Sequence, residues 1–477
     1  MTKYFYSLFA LVLLAGVAVM AQQPARQGGA PPPAAAPVNV FPQPINATAD
    51  VIRVNIADFA TLPTVGAEKP RMMLLVNEPG TRRLFVNDMV GPLYTVSYDG
   101  RSVALYVNTN DAKWGQPVQS QGRERGFQSF AFHPQFAQPG TPGYGKFYTY
   151  IDTSNQAPAP DFPNKGDMTT HDTVLLEWQA RNVNAAAYDG EAPRELMRFR
   201  QPFANHNAGL IAFNPLAQPN TPDFGMLYMA VADGGNGGDP LNAAQDMRNA
   251  FGKFFRINPL GTNSRNKKYG IPADNPFVSN AQALPEIWAL GVRNPQRFGW
   301  DSRNGTIIAA EIGQNIIEEL TAVPKGANLG WNAWESSYKF ISRTELDLTQ
   351  RRGNAQMVFP IVEWDHTDPL FPSGRSSITG VIVYRANAIP QLTNKVLFAD
   401  MPSGEMFHIS ADQLPQGGQD AIRRVAFVSG GQPKNLLQVI REKTPNAERA
   451  DIRFGQGPND RIFLLNKADG VIREITR

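Results

Sequence analysis

The amino-acid sequence predicts an all-β protein, and three observations support that fold class. Gly and Pro number 41 and 39 among 477 residues, a share typical of chains with many turns and few long helices. Beyond about residue 50, short apolar runs alternate with turn signals, as at Met72–Val76, Lys146–Ile151 and Met226–Val231, and such runs are typical of strands. Helical periodicity is weak everywhere except at Leu241–Ala250.

One hairpin arrangement recurs along the chain. An aromatic-containing strand is followed by a Pro or Asn turn and then by Gly before a second strand, as in Phe130–Pro134 leading to Gly145–Ile151 and Ile211–Pro215 leading to Gly225–Val231. Hairpins at wide, irregular spacing are typical of propeller blades separated by long loops, and blades of about 40–50 residues would number about six to eight here. A sandwich of two β-sheets is the alternative.

The sequence divides into three parts. Lys3, the apolar stretch Tyr4–Val19 and the small residue Ala21 predict a signal peptide over residues 1–21. An uncleaved membrane anchor is the alternative, because the apolar stretch approaches the ~20 residues that span a bilayer. Residues 22–50 begin with a Pro- and Ala-rich stretch and are predicted to be a disordered linker. Residues 51–477 are predicted to form the β domain.

Composition excludes several classes of function. Lys plus Arg is 45 and Asp plus Glu is 42, a net charge of +3 without a dense basic block, so a nucleic-acid partner is not expected. The chain has no Cys, which excludes disulfides, zinc thiolate sites and thiol nucleophiles. We expect a periplasmic or secreted protein without stable membrane insertion after signal cleavage.

The histidines offer one candidate catalytic residue. None of the five forms an HxH or HxxxH pair, so a local histidine metal site has no support. His133 precedes Pro134 and is interpreted as a structural turn residue. His206 lies in the polar, small-residue loop Asn205–Leu210, where an imidazole can accept a proton near neutral pH. A hydrogen-bonded structural histidine is an equally good interpretation from the residues alone.

Two further segments carry groups suited to binding. Arg293 and Asn294 end a strand-like run and could hold an anionic cofactor or a sugar hydroxyl, although a salt bridge at a strand end is the alternative. The segment Glu311–Glu319 combines a Gly-containing turn with carboxylates, which are the oxygen ligands that calcium prefers. Asp233–Asp239 is a second acidic, Gly-rich loop that is equally well a plain turn, since it lacks EF-hand spacing.

Taken in order, these motifs resemble the soluble quinoprotein glucose and sorbosone dehydrogenase family, including its aldose sugar dehydrogenases. The similarity runs from about residue 70 to the end of the chain. The segments that carry it are Gly122–Phe136, Asn205–Gly209, Ala232–Lys253, Leu290–Pro295, Ile312–Glu319, Asn328–Trp331 and Ser377–Arg385.

The resemblance implies a six-bladed β-propeller that binds pyrroloquinoline quinone and calcium and oxidises aldose sugars to lactones, passing electrons to an external acceptor. It implies that His206 is the general base and that Arg293 and Asn294 contact the quinone. Glu124 and Arg453 would also lie at the cofactor. The implied metal ligands are Gly313, Gln314 and Glu318.

The sequence departs from the family pattern at two places. Glucose-oxidising members have a Lys on the loop that corresponds to Met401–Gly404, where this chain has Pro402 and Ser403. The entry motif has Phe127 and Gln128 in place of an apolar pair. Two alternatives to a dehydrogenase therefore stay open: a non-catalytic propeller that binds a glycan or protein, and a calcium-dependent lactone hydrolase.

Overall fold

The computed structural model describes residues 39–477 except 67, 157–158, 165–169, 208 and 372–373. The predicted signal peptide, residues 1–21, and residues 22–38 of the predicted linker lie outside the described residues. In the described part of the linker, Val40 and Ile45 are buried. The N–H groups of Phe41 and Ile45 donate to Asp365 and Asp368 at 3.2 and 2.7 Å. The packed part of the chain therefore includes residues that the sequence assigned to the linker.

Strands dominate the described chain. The first half contains β1 (Ile52–Thr61), β2 (Met72–Glu78), β3 (Arg83–Asp88), β4 (Pro92–Ser97), β5 (Val103–Asn108), β6 (Phe127–Phe132), β7 (Lys146–Thr153), β8 (His171–Gln179), β9 (Arg194–Gln201), β10 (Ile211–Phe213), β11 (Leu227–Val231), β12 (Lys253–Ile257) and β13 (Ile287–Leu290). The second half contains β14 (Pro295–Trp300), β15 (Ile307–Glu311), β16 (Ile317–Ala322), β17 (Trp334–Glu335), β18 (Tyr338–Ser342), β19 (Glu345–Asp347), β20 (Val362–Asp365), β21 (Ile378–Tyr384), β22 (Lys395–Asp400), β23 (Met406–Ser410), β24 (Arg423–Ser429), β25 (Gln432–Lys434), β26 (Arg453–Gln456), β27 (Ile462–Leu465) and β28 (Val471–Thr476).

Helical structure is sparse, so the prediction of an all-β fold class is confirmed. Within the described residues the one α-helix is α1 (Leu436–Arg441), and short 3₁₀ turns lie at Ala112–Trp114, Pro390–Leu392 and Pro458–Asp460. The helical periodicity at Leu241–Ala250 corresponds to a series of turns. Across the described ranges, no helix has the length and apolar character needed to cross a bilayer.

The strands form antiparallel runs of four. Four runs consist of strands that are consecutive along the chain, namely β2–β5, β6–β9, β10–β13 and β21–β24. In the other two runs, β20 pairs with β16 to complete β14–β16, and β1 pairs with β28 to complete β26–β28. We call the first strand of each run, namely β2, β6, β10, β14, β21 and β26, the inner strand. β2 contacts β6, β6 contacts β10, β14 contacts β11 and β21, β21 contacts β26, and β26 pairs with β2. These contacts return to their starting point, so the runs surround a common axis.

The N-terminal strand joins the two ends of the described chain. β1 pairs with β28 in antiparallel register, with Ile56 opposite Ile475, and with β24 in parallel register, with Val54 opposite Phe427. Val54, Phe427 and Ile475 belong to one buried apolar cluster. The ring of sheets is therefore closed by non-local pairing between the beginning and the end of the domain.

Val54→Asp tests this closure. Val54 is 1% exposed, and an unpaired carboxylate in an apolar cluster should lower the free energy of unfolding by at least about 3 kcal/mol. Arg53→Asp, on the exposed face of the same strand, is the matched control and should change it by less than about 0.5 kcal/mol. Denaturant unfolding followed by tryptophan fluorescence measures both. Equal, small losses in the two variants would show that β1 does not stabilise the ring.

Candidate functional site

A polar cavity of about 260 Å³ opens where the inner strands begin. Loops that lead into these strands supply most of its lining, because the inner strands surround one axis and run in the same direction along it. We call this space the entrance cavity. The structure places every residue predicted to act in the site on its wall: Glu124, His206, Arg293, Asn294, Gly313, Gln314, Glu318 and Arg453.

His206 is held by its backbone as well as by its ring. It is 4% exposed and has a φ of 57°, a left-handed conformation that is uncommon for a residue other than Gly. Its N–H donates to the Glu124 carboxylate at 2.7 Å. Ser129 Oγ donates to the Gly209 carbonyl at 2.9 Å, so neighbouring strands fix the loop from both ends.

A buried carboxylate orients the His206 ring. Asp233 Oδ1 lies 2.6 Å from His206 Nδ1, and Asp233 Oδ2 accepts a hydrogen bond from Trp331 Nε1 at 2.9 Å. Burial opposes the charge of Asp233, but His206 and the Arg293 guanidinium outweigh it and lower the pKa of the carboxyl. A charged carboxylate only accepts, so it selects the tautomer with the proton on Nδ1. The Nε2 nitrogen is then an acceptor for a bound molecule.

The Gly-rich loop Asp233–Asp239 packs against the His206 loop and supplies the carboxylate at its ring. Gly235 has a φ of 102°, and a Cβ there would lie 2.6 Å from the Asn205 carbonyl oxygen, so only Gly fits beside the His206 loop. The Asp239 carboxylate accepts hydrogen bonds from the Ala243 and Ala244 N–H groups at 2.9 and 2.8 Å. Burial, with the nearby Asp233 charge, raises the pKa of Asp239 to about 6.

Arg293 is a buried cation without a carboxylate partner. Its Nη1 donates to the carbonyls of Ile312 and Gly313 at 2.9 and 2.6 Å, and its guanidinium lies 5.7 Å from the centre of the Trp331 ring. Its Nε is buried without a hydrogen bond to the described protein, and no described carboxylate forms an ion pair with it. The alternative of a salt bridge at a strand end therefore does not hold for Arg293.

Glu311 fixes the backbone that presents Arg293 and Asn294. Its Oε1 accepts hydrogen bonds from both N–H groups, at 2.8 Å from Arg293 and 2.6 Å from Asn294. Burial raises the pKa of Glu311 to about 8, so the carboxyl is largely protonated at neutral pH. The Asn294 Oδ1 atom is buried without a partner among the described residues. The site therefore offers an unused acceptor beside an unused guanidinium N–H.

The predicted metal ligands lie together on the cavity wall, and Gly313 and Glu318 already accept hydrogen bonds. The Gly313 backbone carbonyl accepts from Arg293 Nη1. The Gln314 side-chain Oε1 accepts from the Gly238 N–H at 2.6 Å, whereas the predicted ligand is the Gln314 backbone carbonyl. Glu318 bonds His366 Nε2 at 2.7 Å and the Ile378 N–H at 2.8 Å. Calcium needs about six to eight oxygen ligands, and a cation at Gly313 would stand against the Arg293 charge. No cluster of three His, Asp or Glu side chains in the described chain is placed to hold a metal, so a calcium ion here would depend on the backbone carbonyls of Gly313 and Gln314.

Four cationic side chains also line the entrance cavity, together with the Asp451 carboxylate. They are Arg123, Arg449, Arg453 and Lys467. Arg453 donates through Nη2 to Gln296 Oε1 at 3.0 Å, its Nε is buried without a partner in the described chain, and burial lowers its pKa to about 10. Lys467 donates to the Arg123 carbonyl at 2.9 Å, and burial together with the charge of Arg453 lowers its pKa to about 7.

Four residues of the site were not predicted from the sequence, namely Lys467, Asp233, Glu311 and Trp331. Lys467 follows β27, and because the strands of one run alternate in direction, the β27–β28 turn lies at the end where β26 begins. The alternating direction of the strands could therefore have predicted that Lys467 lies near the start of β26. Asp233 was noticed only as part of an acidic loop, and nothing in its spacing shows that it reaches His206.

The comparison with known proteins decides the family. A family profile described as glucose/sorbosone dehydrogenase matches residues 67–432. The chain belongs to this family. It is 31% identical over 380 residues to the HIPL1 protein of Arabidopsis thaliana, covering 74% of this chain and 53% of that protein. It is 25% identical over 247 residues to an aldose sugar dehydrogenase of Escherichia coli, covering 50% of this chain and 58% of that one.

A solved structure shows the same fold at low identity. The pyrroloquinoline quinone-bound form of an aldose sugar dehydrogenase from Streptomyces coelicolor aligns with a TM-score of 0.54 at 18% identity, covering 88% of this chain and 98% of that one. The chain spans about half the length of the first curated relatives that it matches. At these identities the structural likeness establishes the fold, and the chemistry must be argued from the site.

The orientation of His206 can be measured directly. In protein labelled with ¹⁵N-histidine, His206 should show a proton on Nδ1 and none on Nε2 near pH 8, because Asp233 accepts from Nδ1. Asp233→Asn should weaken this preference, since an amide can present a donor instead. His366, whose Nε2 faces Glu318, is the internal control and should not change. An unaltered His206 spectrum in the variant would contradict the proposed orientation.

Proposed function

We propose that this chain is an exported sugar dehydrogenase that uses pyrroloquinoline quinone to oxidise aldoses to lactones. The observation that carries the proposal is the pairing of His206 with Asp233 in a cavity that Arg293 and Arg453 also line, two buried cations without an ion pair to a described carboxylate. Family membership supports a dehydrogenase, and the name of the Streptomyces coelicolor structure supports this cofactor. Export rests on the predicted signal peptide.

The fold fits a six-bladed propeller. Each four-stranded run would be one blade, and the six runs are β2–β5, β6–β9, β10–β13, β14–β16 with β20, β21–β24, and β26–β28 with β1. The N-terminal strand would then be the outer strand of the last blade. Ring closure by strands from both ends of the chain is consistent with this blade count.

The entrance cavity fits a planar polyanion. Its Arg and Lys residues are Arg123, Arg293, Arg449, Arg453 and Lys467, whereas its acidic residues are already engaged: Glu124 with His206, Glu318 with His366 and Asp451 with Arg449. Arg453 and Lys467 would hold carboxylates of the cofactor. Lys467 would supply the charge that the family's Lys provides at the loop where this chain has Pro402 and Ser403.

Arg293 and Asn294 would face the quinone oxygens. The unused Arg293 Nε–H can donate to an oxygen that gains negative charge during reduction, which stabilises that charge. The bound quinone supplies the hydride acceptor, a chemistry that protein side chains do not provide. The backbone carbonyls of Gly313 and Gln314 would be the ligands of a calcium ion, and no step is assigned to that ion.

His206 would be the general base. Its Nε2 would accept the proton of the anomeric hydroxyl as the hydride leaves the same carbon, so the sugar loses one proton and one hydride. Asp233 would hold the Nδ1–H and stabilise the imidazolium that forms. Glu124 would fix the His206 backbone at 2.7 Å, and therefore the position of the base.

The chemistry at the axis does not suit the lactone hydrolase alternative. That activity needs a metal ringed by carboxylates at the centre of the propeller. Here the inner strands place Arg297 and Arg453 near each other at the axis, and both are buried. Two positive charges at that position oppose a central cation.

The dehydrogenase is tested by adding pyrroloquinoline quinone to the purified protein and following dye reduction with glucose and other aldoses. His206→Asn should lower kcat by about 10²–10⁴-fold, the usual contribution of a general base, and Asn tolerates the left-handed backbone at this position. Quinone binding, measured by titration calorimetry, should stay within about threefold of the unaltered protein, which separates loss of the base from misfolding.

The proposal fails if the unaltered protein does not bind the quinone at micromolar concentration. Binding without dye reduction for any aldose would instead identify a propeller that binds ligands without turnover. Equal activity in His206→Asn and the unaltered protein would leave the dehydrogenase but remove His206 as its base.

Lys467 predicts a pH dependence of quinone binding. With a pKa of about 7 in the free protein, Lys467 is neutral at higher pH, and a polyanion favours its charged form. Quinone affinity should therefore fall as pH rises above about 7. Lys467→Met should weaken binding and flatten the profile, whereas Lys434→Met, at a lysine paired with Glu442 outside the cavity, should do neither. A flat profile in the unaltered protein would contradict the role.

A further inference from the structure

A second cavity, of about 570 Å³, lies at the opposite ends of the inner strands. On β14 and β26 its lining residues directly follow those of the entrance cavity: Gln296 lines the entrance cavity and Arg297 lines this one, and Arg453 and Phe454 divide in the same way. The two cavities share no lining residue. We call the second space the channel cavity.

Arg297 stands at the inner end of the channel cavity. It is 5% exposed. Its Nη2 donates to the Met73 carbonyl at 2.7 Å and its Nη1 to the Gln296 carbonyl at 2.7 Å. Met73 belongs to β2, so the side chain crosses the axis from β14 to another inner strand. Arg297 thus separates the channel cavity from the entrance cavity.

The charge of Arg297 has no counter-ion in the described chain. No described carboxylate lies within ion-pair distance, and its Nε is buried without a hydrogen-bond partner among the described residues. The nearest strong influence is another cation, Arg453, which together with burial holds the pKa of Arg297 well below its usual value. A buried guanidinium is costly unless an anion pairs with it.

The walls of the channel cavity are mostly apolar. They include Leu74, Val76, Phe130, Phe132, Leu210 and Phe298. The acidic lining residues, Glu78 and Asp460, lie at the end of β2 and beyond β26, away from Arg297 along the strands. The cavity therefore has a positive inner end, an apolar body and a negatively charged mouth.

We propose that the channel cavity binds a small organic acid with an apolar body, its single carboxylate on Arg297 and its apolar part against the inner strands. The guanidinium fork suits a carboxylate. A volume of about 570 Å³ lies within the range of ligand pockets. The acidic mouth favours a bound orientation with the carboxylate inward, at Arg297, and a neutral end outward. This ligand site is separate from the proposed oxidation site and does not depend on it.

Titration calorimetry with 4-phenylbutyrate and its neutral amide tests the proposal. The acid should bind, and the amide should bind at least about tenfold more weakly, a difference of about 1.4 kcal/mol. Arg297→Gln keeps a hydrogen-bond donor without the charge and should remove this preference. Ala212→Phe, which adds a ring to the channel wall, should abolish binding of both compounds without lowering the melting temperature.

Lys434→Met is the matched control, because it removes a cation that pairs with Glu442 and lines neither cavity. It should leave binding of 4-phenylbutyrate unchanged. No binding of the acid at millimolar concentration, equal affinity for acid and amide, or loss of binding in Lys434→Met would each overturn the proposal. If Arg297→Gln does not fold, the comparison of acid with amide and the Ala212→Phe variant still decide it.

Discussion

Closure of the ring is the constraint on which both cavities depend. The inner strands lie around one axis, and β1, from one end of the domain, completes the run made by β26–β28 at the other. Within that circle every inner strand runs in the same direction. Loops that are far apart in sequence, such as those of Glu124, His206 and Arg293, therefore end at one place, and no local motif could assemble them.

The buried carboxyl groups at the entrance cavity differ in their protonation. Asp233 stays charged because His206 and Arg293 are near it, whereas Glu311, although close to Arg293, is shifted to a pKa of about 8 by burial. One carboxyl thus orients a base and the other holds two backbone N–H groups without competing for the guanidinium. Arg293 is left with capacity for a bound anion, which is the property that makes the cavity a site rather than a set of internal ion pairs.

The sequence was sufficient for the fold class, since strand length and turn residues are local signals. It also gave the residues of the entrance cavity, because ordered motifs over most of the chain carried the resemblance. It did not show that the Gly313 carbonyl and Glu318 are occupied by Arg293 and His366, because those contacts depend on side-chain positions across three loops. Lys467 was missed for a related reason: it belongs to no motif, and only the antiparallel order of the last run brings it beside Arg453. The turns at Leu241–Ala250 mimic helical periodicity since apolar residues there pack on one side without a helix.

The two cavities differ in chemistry because loops line one of them and paired β-strands line the other. Ahead of each inner strand the backbone is irregular, so polar side chains such as Glu124 and Asn294 lie in loops that can satisfy and present them. Once a strand begins, its backbone groups are paired with the neighbouring strand, and the side chains that face the axis pack against other strands and are mainly apolar. Arg297 is the exception because it lies at the boundary: its Nη groups reach backbone carbonyls left free near the strand starts, while its Nε and its charge remain for the channel. The same six strands can therefore hold a polar reaction site at their beginnings and an apolar cavity with one buried cation beyond it.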